Sequence, residues 1–447
     1  MPELALEFFT LSNGIRVVLH RQPSVHRVSI MLNIGAGCID ERVWGTAHML
    51  EHLMFRGTRK YPSFGAISEA FEQVGADFNA FTAREVTSFD INLPRESVAD
   101  ALMLLGDVMM HAKLTGIVAE RDIIREEILA DYDDDNALIN VDDLMTSLFY
   151  GDAGHPIAGN PQDIEKITSK DVRSFYEDHY AADNMLLVCT GAIPPTRDLQ
   201  QMAESALGQI APHANRSNRR QMPDIYKNPA PDSPALLHIK DYDGATQSDV
   251  SLGFLFDGPH SPQLPALEIL VRILDDGMAS RLSRKLVEQL ALVYDIEAYL
   301  STALNTTLLQ IRTSCRHKRV AKLLEAVYGI LDDIAQHGVT DEELARVRKR
   351  LIWEHEELSD GIARLSQWIS SMATQNMSCD IDARCKKLCG VSSEDVQKKA
   401  QNAIKSRPHI VAIVGEISEK RAQDLKSTIE NSIKRKIKLE LDKSKND

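Results

Sequence analysis

The order of elements predicted from the first half of the chain starts again in the second half. Val28-Ser29-Ile30 and Val250-Ser251-Leu252 both read as buried strands, and each is followed by an apolar helix. Residues 186–191 and 410–415 are matching apolar strands, each closing on a glycine near the end of its half. This repeat restricts the fold to two copies of one mixed unit of strands and helices.

A proline-rich stretch separates the two copies. Residues 212–235 are rich in proline, asparagine, arginine and serine, which is typical of a linker. At 447 residues the chain is also too long for one ordinary core. We therefore expect an N-terminal domain over residues 1–212, a linker over 213–235 and a homologous C-terminal domain over 236–447. The fold class expected is α+β, with two duplicated sandwich-like domains, each an antiparallel-rich sheet covered by helices.

Hydrophobic periodicity predicts individual elements of the first copy. Asn13-Gly14 lies between two alternating runs, which indicates a hairpin over residues 6–21. From residue 416 onward the sequence is charged, and a solvated lysine-rich tail is expected. Two strands are expected within residues 76–93, and helices over residues 96–112, 117–132 and 160–178.

The stretch from Gly45 to Thr58 places two imidazoles and a carboxylate on one side of a predicted helix. His48 and His52 are four residues apart, and Glu51 lies three residues after His48. Two neutral His side chains at this spacing can hold zinc, and the adjacent Glu can accept a proton from water. The order, His-x-x-Glu-His, is the inverse of the commoner His-Glu-x-x-His.

The surroundings of this motif favour metal binding over a chance pattern on an exposed helix. The neighbouring residues are apolar nearly all round the helix, so the motif is expected to be buried. Burial of these polar groups without a partner would cost roughly 2 kcal/mol or more for each group. A bound metal is the partner that we expect.

The predicted helix over residues 117–132 offers two further carboxylates. Glu120 and Glu127 are seven residues apart and share a face with the apolar stripe that includes Ile123 and Ile124. The alternative is a solvated acidic face, which suits Glu127 poorly. A third zinc ligand from this helix would complete a catalytic site, because such sites have three protein ligands.

The charge balance and the start of the sequence indicate classes of partner and a compartment. The net charge of −14 argues against nucleic acid and suits cationic ligands, although it also simply favours a soluble surface. No apolar run is long enough to span a membrane. No signal-like segment opens the sequence, so a cytoplasmic protein is expected, or a periplasmic one if the N-terminus has been trimmed.

The cysteines indicate reduced structural thiols. The six residues form no Cys-x-x-Cys pair and no disulfide framework. Cys385 and Cys389 have i, i+4 spacing, so a second metal site is the alternative for that segment.

Taken together, these motifs resemble the pitrilysin/insulinase family of inverted-motif zinc peptidases, the inverzincins. That family includes the mitochondrial processing peptidase subunits and many bacterial relatives. The likeness covers nearly the whole chain. It includes Leu11-Ser12-Asn13-Gly14, Gly35-Ala36-Gly37, the His-x-x-Glu-His helix with Phe55-Arg56-Gly57-Thr58, Asn79-Ala80-Phe81-Thr82, Glu120 with Glu127, and His155-Pro156.

The resemblance implies roles for residues of the N-terminal domain. Glu51 corresponds to the general base, and Glu120 to a second carboxylate that supports the site without binding metal. Asn79-Ala80-Phe81 is similar to the family's edge strand, which lies against an extended peptide substrate. Backbone pairing of this kind grips a peptide largely independently of its side chains. The ligands of one Zn²⁺ per chain would be His48, His52 and Glu127.

The second half departs from the family pattern. Family members provide an oxyanion donor there, a Tyr preceded seven residues earlier by an Arg. Tyr294 matches the Tyr, but Val287 stands where the Arg is expected. Family members of this length form half of a clamshell, and two such chains enclose one peptide chamber. We therefore expect a second, homologous subunit that carries an intact Arg and Tyr, with a homodimer as the alternative.

The function implied by the resemblance is that of a zinc metalloendopeptidase hydrolysing short unfolded peptides, with this chain as the catalytic subunit of a heterodimer. The alternative is a non-catalytic core or assembly subunit that keeps the peptidase fold. Subunits of that kind tend to lose ligands or base, whereas this chain keeps all four residues of the expected site. A metal-storage or metal-sensing protein would need neither Glu51 nor the edge strand. The sequence does not separate presequence processing from general peptide degradation.

Overall fold

Two six-stranded sheets form the framework of the chain in a computed structural model that describes residues 5–213, 235–406, 409–433 and 437–443. The first sheet has the strand order β1-β2-β6-β3-β5-β4 and the second the order β12-β7-β11-β8-β10-β9. The strands are β1 Leu6–Thr10, β2 Arg16–Arg21, β3 Arg27–Ile34, β4 Asp77–Thr82, β5 Thr87–Pro94, β6 Met185–Gly191, β7 Ala235–Asp241, β8 Ser248–Asp257, β9 Glu297–Ala303, β10 Thr306–Cys315, β11 His409–Gly415 and β12 Ile437–Lys443.

Helices cover these sheets and supply most of the connections. The α-helices are α1 Thr46–Met54, α2 Phe64–Gln73, α3 Val98–His111, α4 Ile117–Ile128, α5 Val141–Tyr150, α6 Pro161–Lys166, α7 Ser169–His179, α8 Thr196–Leu207, α9 Leu264–Leu274, α10 Val320–His337, α11 Asp341–Asp360, α12 Ile362–Thr374, α13 Ile381–Cys389, α14 Ser393–Gln401 and α15 Glu419–Ile433. Short 3-10 helices lie at Cys38–Asp40, Arg95–Ser97, Leu129–Asp131, Gly151–Gly154, Ala182–Asn184 and His317–Arg319, and π-helices at Ser283–Gln289 and Asn402–Ser406.

The predicted repeat is present in the sheets. In each sheet five strands have the same order and the same directions, since β2, β6, β3, β5 and β4 correspond to β7, β11, β8, β10 and β9. The first two strands of each set are parallel, and the remaining neighbours are antiparallel. The sixth strand differs, because β1 pairs antiparallel with β2 whereas β12 pairs parallel with β7. The expected fold class, α+β with two helix-covered sheets, is confirmed.

The described residues form two compact units, and neither unit is continuous in sequence. The first takes its residues from Met1–Leu129, Pro156–Gln221 and Glu354–Asp382, and the second from Ala130–His155, Met222–Trp353 and Ala383–Asp447. Each unit thus includes a segment from the other half of the repeat. The linker predicted over residues 213–235 falls almost entirely on residues 214–234, which lie outside the described residues, and it stays a prediction.

The first unit uses α12, from the second half of the chain, to cover its sheet. Leu365 and Ile369 of this helix are fully buried in a cluster with sheet residues that include Met31 and Val188. Polar contacts fix the register, since Asn33 Nδ2 on β3 donates to Ser370 Oγ at 3.1 Å on α12. Apolar burial and a satisfied buried amide together hold this segment on the sheet.

The second unit uses α5, from the first half of the chain, in the same way. This helix packs on β8 and β11, which correspond to β3 and β6, the strands under α12. Gly253 on β8 allows the close approach, because a Cβ there would lie 2.6 Å from Met145 Sδ. Tyr150 Oη and Thr306 Oγ1 are hydrogen-bonded at 2.9 Å.

Two predicted elements differ from the structure. The single helix expected over residues 160–178 is two helices, α6 and α7, because Thr168 starts a new one: its hydroxyl accepts from Asp171 N, and Asp171 Oδ2 accepts from Thr168 N at 2.9 Å. The expectation of a solvated tail from residue 416 is wrong for α15 and β12. Leu425 and Ile429 are buried, because apolar residues recur at helical spacing among the charges of α15. The strand β12 pairs along β7, and its apolar residues alternate as in a strand.

We expect Ile369→Ala to destabilise the first unit by about 2–5 kcal/mol, because it opens a cavity under α12. Urea unfolding together with hydrogen exchange on β3 and β6 would measure the loss. Gln367→Ala, at an exposed position of the same helix, is the control. Equal stability of the two variants would contradict the role assigned to α12.

Candidate metal centre

The first turn of α1 is fixed by a glycine and by a buried carboxylate. Gly45 has φ +89°, and a Cβ there would lie 2.5 Å from Ala158 O, so only glycine fits. Because glycine has no capping side chain, Glu41 takes that role: its Oε1 accepts from Gly45 N at 2.6 Å and its Oε2 from Ala47 N at 2.8 Å. Burial raises the pKa of Glu41 to about 8, although these backbone donors act in the opposite direction.

The apolar side chains of α1 bury the helix as the sequence predicts. Ala47, Met49, Leu50, Leu53 and Met54 have no exposed surface. The helix lies against α4 and α7. This packing orients the remaining side of α1, which carries the imidazoles, toward α4.

Two imidazoles of α1 and one carboxylate of α4 converge on one point. His48 Nε2 lies 3.6 Å from Glu127 Oε1, and His52 Nε2 lies 3.6 Å from Glu127 Oε2. One ligand atom from each of the three residues lies within 4.8 Å of the others. Four tetrahedral zinc bonds of about 2.0–2.2 Å would separate the ligand atoms by roughly 3.3–3.6 Å. The donor set and its spacing therefore fit a catalytic-type zinc site.

Glu120 contacts the imidazole of His52 at Nδ1, the ring nitrogen that does not face Glu127. Its side chain is 3% exposed, its Oε2 lies 3.1 Å from His52 Nδ1, and its Oε1 contacts Arg56 Nε. With Nδ1 donating to this carboxylate, the lone pair of His52 Nε2 is directed to the point shared with Glu127. Glu120 is not among the three residues that converge there.

The two carboxylates of α4 differ in exposure. Glu120 is buried, whereas the side chain of Glu127 is 50% exposed. The buried stripe of α4 runs through Glu120, Ile124 and Ile128, which are four residues apart. The prediction that Ile123 belongs to this stripe is wrong, since it is exposed on another side of the helix. Glu127 stands at the margin of the stripe, where it reaches the imidazoles and also water.

Burial sets the protonation state of His48. Desolvation, followed by the nearby His52, lowers its pKa to about 3. The imidazole is therefore neutral at ordinary pH, as a metal ligand must be.

Glu51 lies beside the three converging residues, and its carboxylate accepts a hydrogen bond from a residue of β4. Thr82 Oγ1 donates to Glu51 Oε2 at 2.5 Å. Desolvation raises the pKa of Glu51, and the Glu127 carboxylate acts in the same direction, while Thr82 and His52 oppose it. A carboxylate with a raised pKa is a better proton acceptor than a solvated one.

The predicted peptide-binding residues lie on β4. Within the described residues, this strand is at one edge of the first sheet. Side chains alternate along it: Asn79 and Phe81 point outward and are exposed, whereas Ala80 is half-buried on the other face. The strand pairs with β5 through Asp77↔Asn92 to Thr82↔Thr87. The opposite backbone edge of β4 has no strand partner within the described part of the chain.

Tyr294 belongs to the second unit and is 94% exposed on a bend. Val287, at the position where an Arg was expected, is half-buried in the π-helix Ser283–Gln289. Nearby Arg281 is held by Glu343, whose carboxylate it contacts at 2.7 and 2.8 Å. This arginine is thus engaged in a structural ion pair within its own unit.

Sequence reasoning missed three residues of the centre. Arg56 stands four residues after His52, a spacing that predicts a shared helix face. Thr82 is on the inward face of β4, because residues two apart in a strand share a face, and Glu41 lies five residues before Thr46, the first residue of α1. Their contacts with Glu120, Glu51 and the α1 backbone depend on tertiary packing, and nothing in their spacing identifies those partners.

The alternative metal site at Cys385 and Cys389 receives no support from the geometry. No disulfide joins any of the six cysteines, all of which are described. Over the described ranges, the only group of three or more His, Cys, Asp or Glu residues with metal-holding geometry is that of His48, His52 and Glu127. None of the helices within those ranges is long and apolar enough to cross a membrane.

Comparison with known sequences places the chain among metallopeptidases. The sequence model described as Insulinase (Peptidase family M16) matches residues 16–159. The model described as Peptidase M16 inactive domain matches residues 166–351. The two matches follow one another along the chain, as the internal repeat requires.

Individual relatives and a solved structure agree with this placement. An uncharacterized zinc protease of Streptomyces coelicolor is 27% identical, over 94% of this chain and 92% of its own length. A probable mitochondrial-processing peptidase subunit beta of Schizosaccharomyces pombe is 31% identical, over 47% of this chain and 46% of its own. The crystal structure of a protease from Helicobacter pylori has the same fold, with a TM-score of 0.83 and 17% identity over 92% of this chain and 100% of that one. The chain therefore belongs to the pitrilysin/insulinase family of peptidases, as a member of its short two-domain type.

Proposed function

We propose that this protein is a zinc-dependent endopeptidase that hydrolyses short, unfolded peptides. The observation that carries the proposal is the convergence of His48, His52 and Glu127 at zinc-ligand spacing, with Glu51 beside them. The zinc proteases among its relatives support the choice of metal. These three side chains would hold one Zn²⁺ per chain, and three is the number of protein ligands in catalytic zinc sites.

When bound, the zinc ion acts as a Lewis acid, polarising the peptide carbonyl and lowering the pKa of a water molecule toward about 7. Glu51 accepts the proton of the attacking water and passes it to the leaving nitrogen. Its buried position, which raises the pKa of its carboxyl group, suits both steps. Glu120 and Arg56 keep His52 oriented.

The peptide lies along the free edge of β4 in an extended conformation. Backbone pairing with Asn79, Ala80 and Phe81 grips it with little dependence on its side chains. The outward-facing Asn79 and Phe81 then contact alternate residues of the peptide. General peptide hydrolysis follows more naturally from this mode than recognition of one sequence.

A second, homologous subunit completes the substrate chamber. Tyr294 is exposed and available as an oxyanion donor, but Val287 leaves this chain without the Arg expected beside it. A heterodimer with a relative that carries both residues supplies them, and a homodimer is the alternative. A relative named as a subunit of a processing peptidase supports a paired arrangement.

A non-catalytic core or assembly subunit is the rival function. Residues 166–351 match a domain described as inactive. Because this match covers mainly the second half of the chain, it agrees equally well with a catalytic and with a non-catalytic protein. The complete cluster in the first half favours catalysis, because a subunit with a purely structural role has no use for a buried Glu51 directed beside two imidazoles.

Glu51→Gln should retain zinc and lower kcat by about 10²–10⁴-fold, because the general base is lost while the ligands remain. Zinc content by mass spectrometry and cleavage of an unstructured fluorogenic peptide test this together. Glu126→Gln, an exposed carboxylate on α4, is the matched control. Equal rates for Glu51→Gln and the wild type would rule out Glu51 as the base.

Glu127→Gln should lose zinc at chelator concentrations that leave the wild type loaded, because one of three ligands loses its charge. Chelator competition gives the affinity, and Glu126→Gln again serves as control. Zinc retention equal to that of the wild type would exclude Glu127 as a ligand.

In the metal-free protein, the contribution of His48 to stability should fall as the pH falls from 6.5 toward 3, opposite in sign to the contribution of the buried Glu41. His48 stays neutral in the folded state down to about pH 3, whereas the unfolded chain takes up its proton below about 6.5. The free energy of unfolding therefore falls by up to about 1.4 kcal/mol per pH unit through this group. Urea unfolding in the presence of chelator should show this contribution as a difference in pH slope between the wild type and His48→Gln, with His26→Gln, at an exposed histidine, as the control.

A further inference from the structure

Thr82 connects the strand proposed to hold the peptide with the proposed base. It is the last residue of β4, and its hydroxyl donates to Glu51 Oε2 at 2.5 Å. Both side chains are 9% exposed, so water does not compete strongly for this contact. The backbone N–H of Thr82 also contacts the Glu51 carboxylate, and no other side chain in the described part of the chain donates a hydrogen bond to it. Thr82 therefore supplies both the hydroxyl and the backbone donor that hold this carboxylate.

The position of this hydroxyl is determined by the packing of β4. Phe78, on the same face of the strand, stacks on Phe71 at 4.5 Å and lies 5.1 Å from Phe55, just after α1. At the end of the strand Thr82 is in register with Thr87 of β5. Aromatic contacts and strand register thus hold the Thr82 side chain against α1, while the other backbone edge of β4 stays free.

We infer that Thr82 is a positioning residue of the peptidase reaction, which holds the Glu51 carboxylate in the orientation needed for proton transfer. The inference rests on the proposed function. In consequence, β4 has two roles. Its free edge positions the peptide, and the hydroxyl of its last residue orients the carboxylate of the base. Removal of the hydroxyl leaves only the backbone N–H of Thr82 on the carboxylate, which can then rotate about that contact, and a misaligned base loses rate without loss of substrate affinity.

A purely structural role makes a different prediction. If the hydroxyl only satisfied a buried carboxylate, its removal would cost stability and leave the rate of the folded enzyme unchanged. Thr87 offers a matched control in the same hairpin. It is fully buried, and its hydroxyl donates to Ala36 O at 3.0 Å and makes no hydrogen bond to Glu51. Thr87→Val therefore makes the same chemical change without removing a hydrogen bond from Glu51.

The experiment compares zinc-loaded wild type, Thr82→Val, Thr82→Ser, Thr87→Val and Glu51→Gln on one unstructured peptide. For each protein kcat, KM, zinc affinity by chelator competition and thermal stability are measured. Crystal structures of the two Thr82 variants give the orientation of the Glu51 carboxylate. This last measurement does not depend on turnover.

Thr82→Val should lower kcat by about 10- to 100-fold with KM and zinc affinity unchanged, and its Glu51 carboxylate should be rotated. Thr82→Ser should restore both kcat and orientation, and Thr87→Val should lose stability only. Wild-type kcat in Thr82→Val would overturn the inference, as would equal losses in Thr82→Val and Thr82→Ser. Full activity of Glu51→Gln would instead overturn the proposed function, so the two failures are distinguishable.

Discussion

Several polar side chains are buried around α1, and each of them needs a partner that replaces water. The first unit depends on this constraint. A buried carboxylate or imidazole is costly unless another group compensates for the lost water. Glu41 is compensated by the backbone N–H groups that begin α1, and Glu120 by His52 and Arg56. Glu51 is compensated by Thr82. Each of these contacts joins α1 to a different part of the chain and fixes its position.

The same desolvation adjusts the chemistry of the centre in two directions. It lowers the pKa of His48, which keeps the imidazole neutral, and it raises the pKa of Glu51, which makes the carboxylate a stronger base. The proposed ligand and the proposed base, three residues apart on one helix, thus acquire opposite pKa shifts from one apolar environment. Glu127, which is half exposed, adds charge to the centre without the full cost of burial.

The two copies of the repeat have diverged around a shared framework. Five strands keep their order in both sheets, and each sheet is covered by a helix from the other half of the chain. In the second unit α9 follows β8 as α1 follows β3, but it buries apolar residues that include Leu270 and Val271. A helix of that composition needs no polar partners to be buried.

The sequence by itself determined the helix of His48, Glu51 and His52, the repeat of the strands and the fold class. These features are encoded locally, by periodicity and by the spacing of polar residues within apolar runs. It also indicated Glu120 and Glu127 as candidates, but not which of the two faces both imidazoles and which contacts only His52. Only the tertiary structure decided that Glu120 is buried behind His52 while Glu127 faces both imidazoles. The attachment of Thr82 to Glu51 and of α12 to the first sheet was likewise decided there. Such contacts join residues far apart in sequence, and the packing of whole elements, not any local pattern, brings them together.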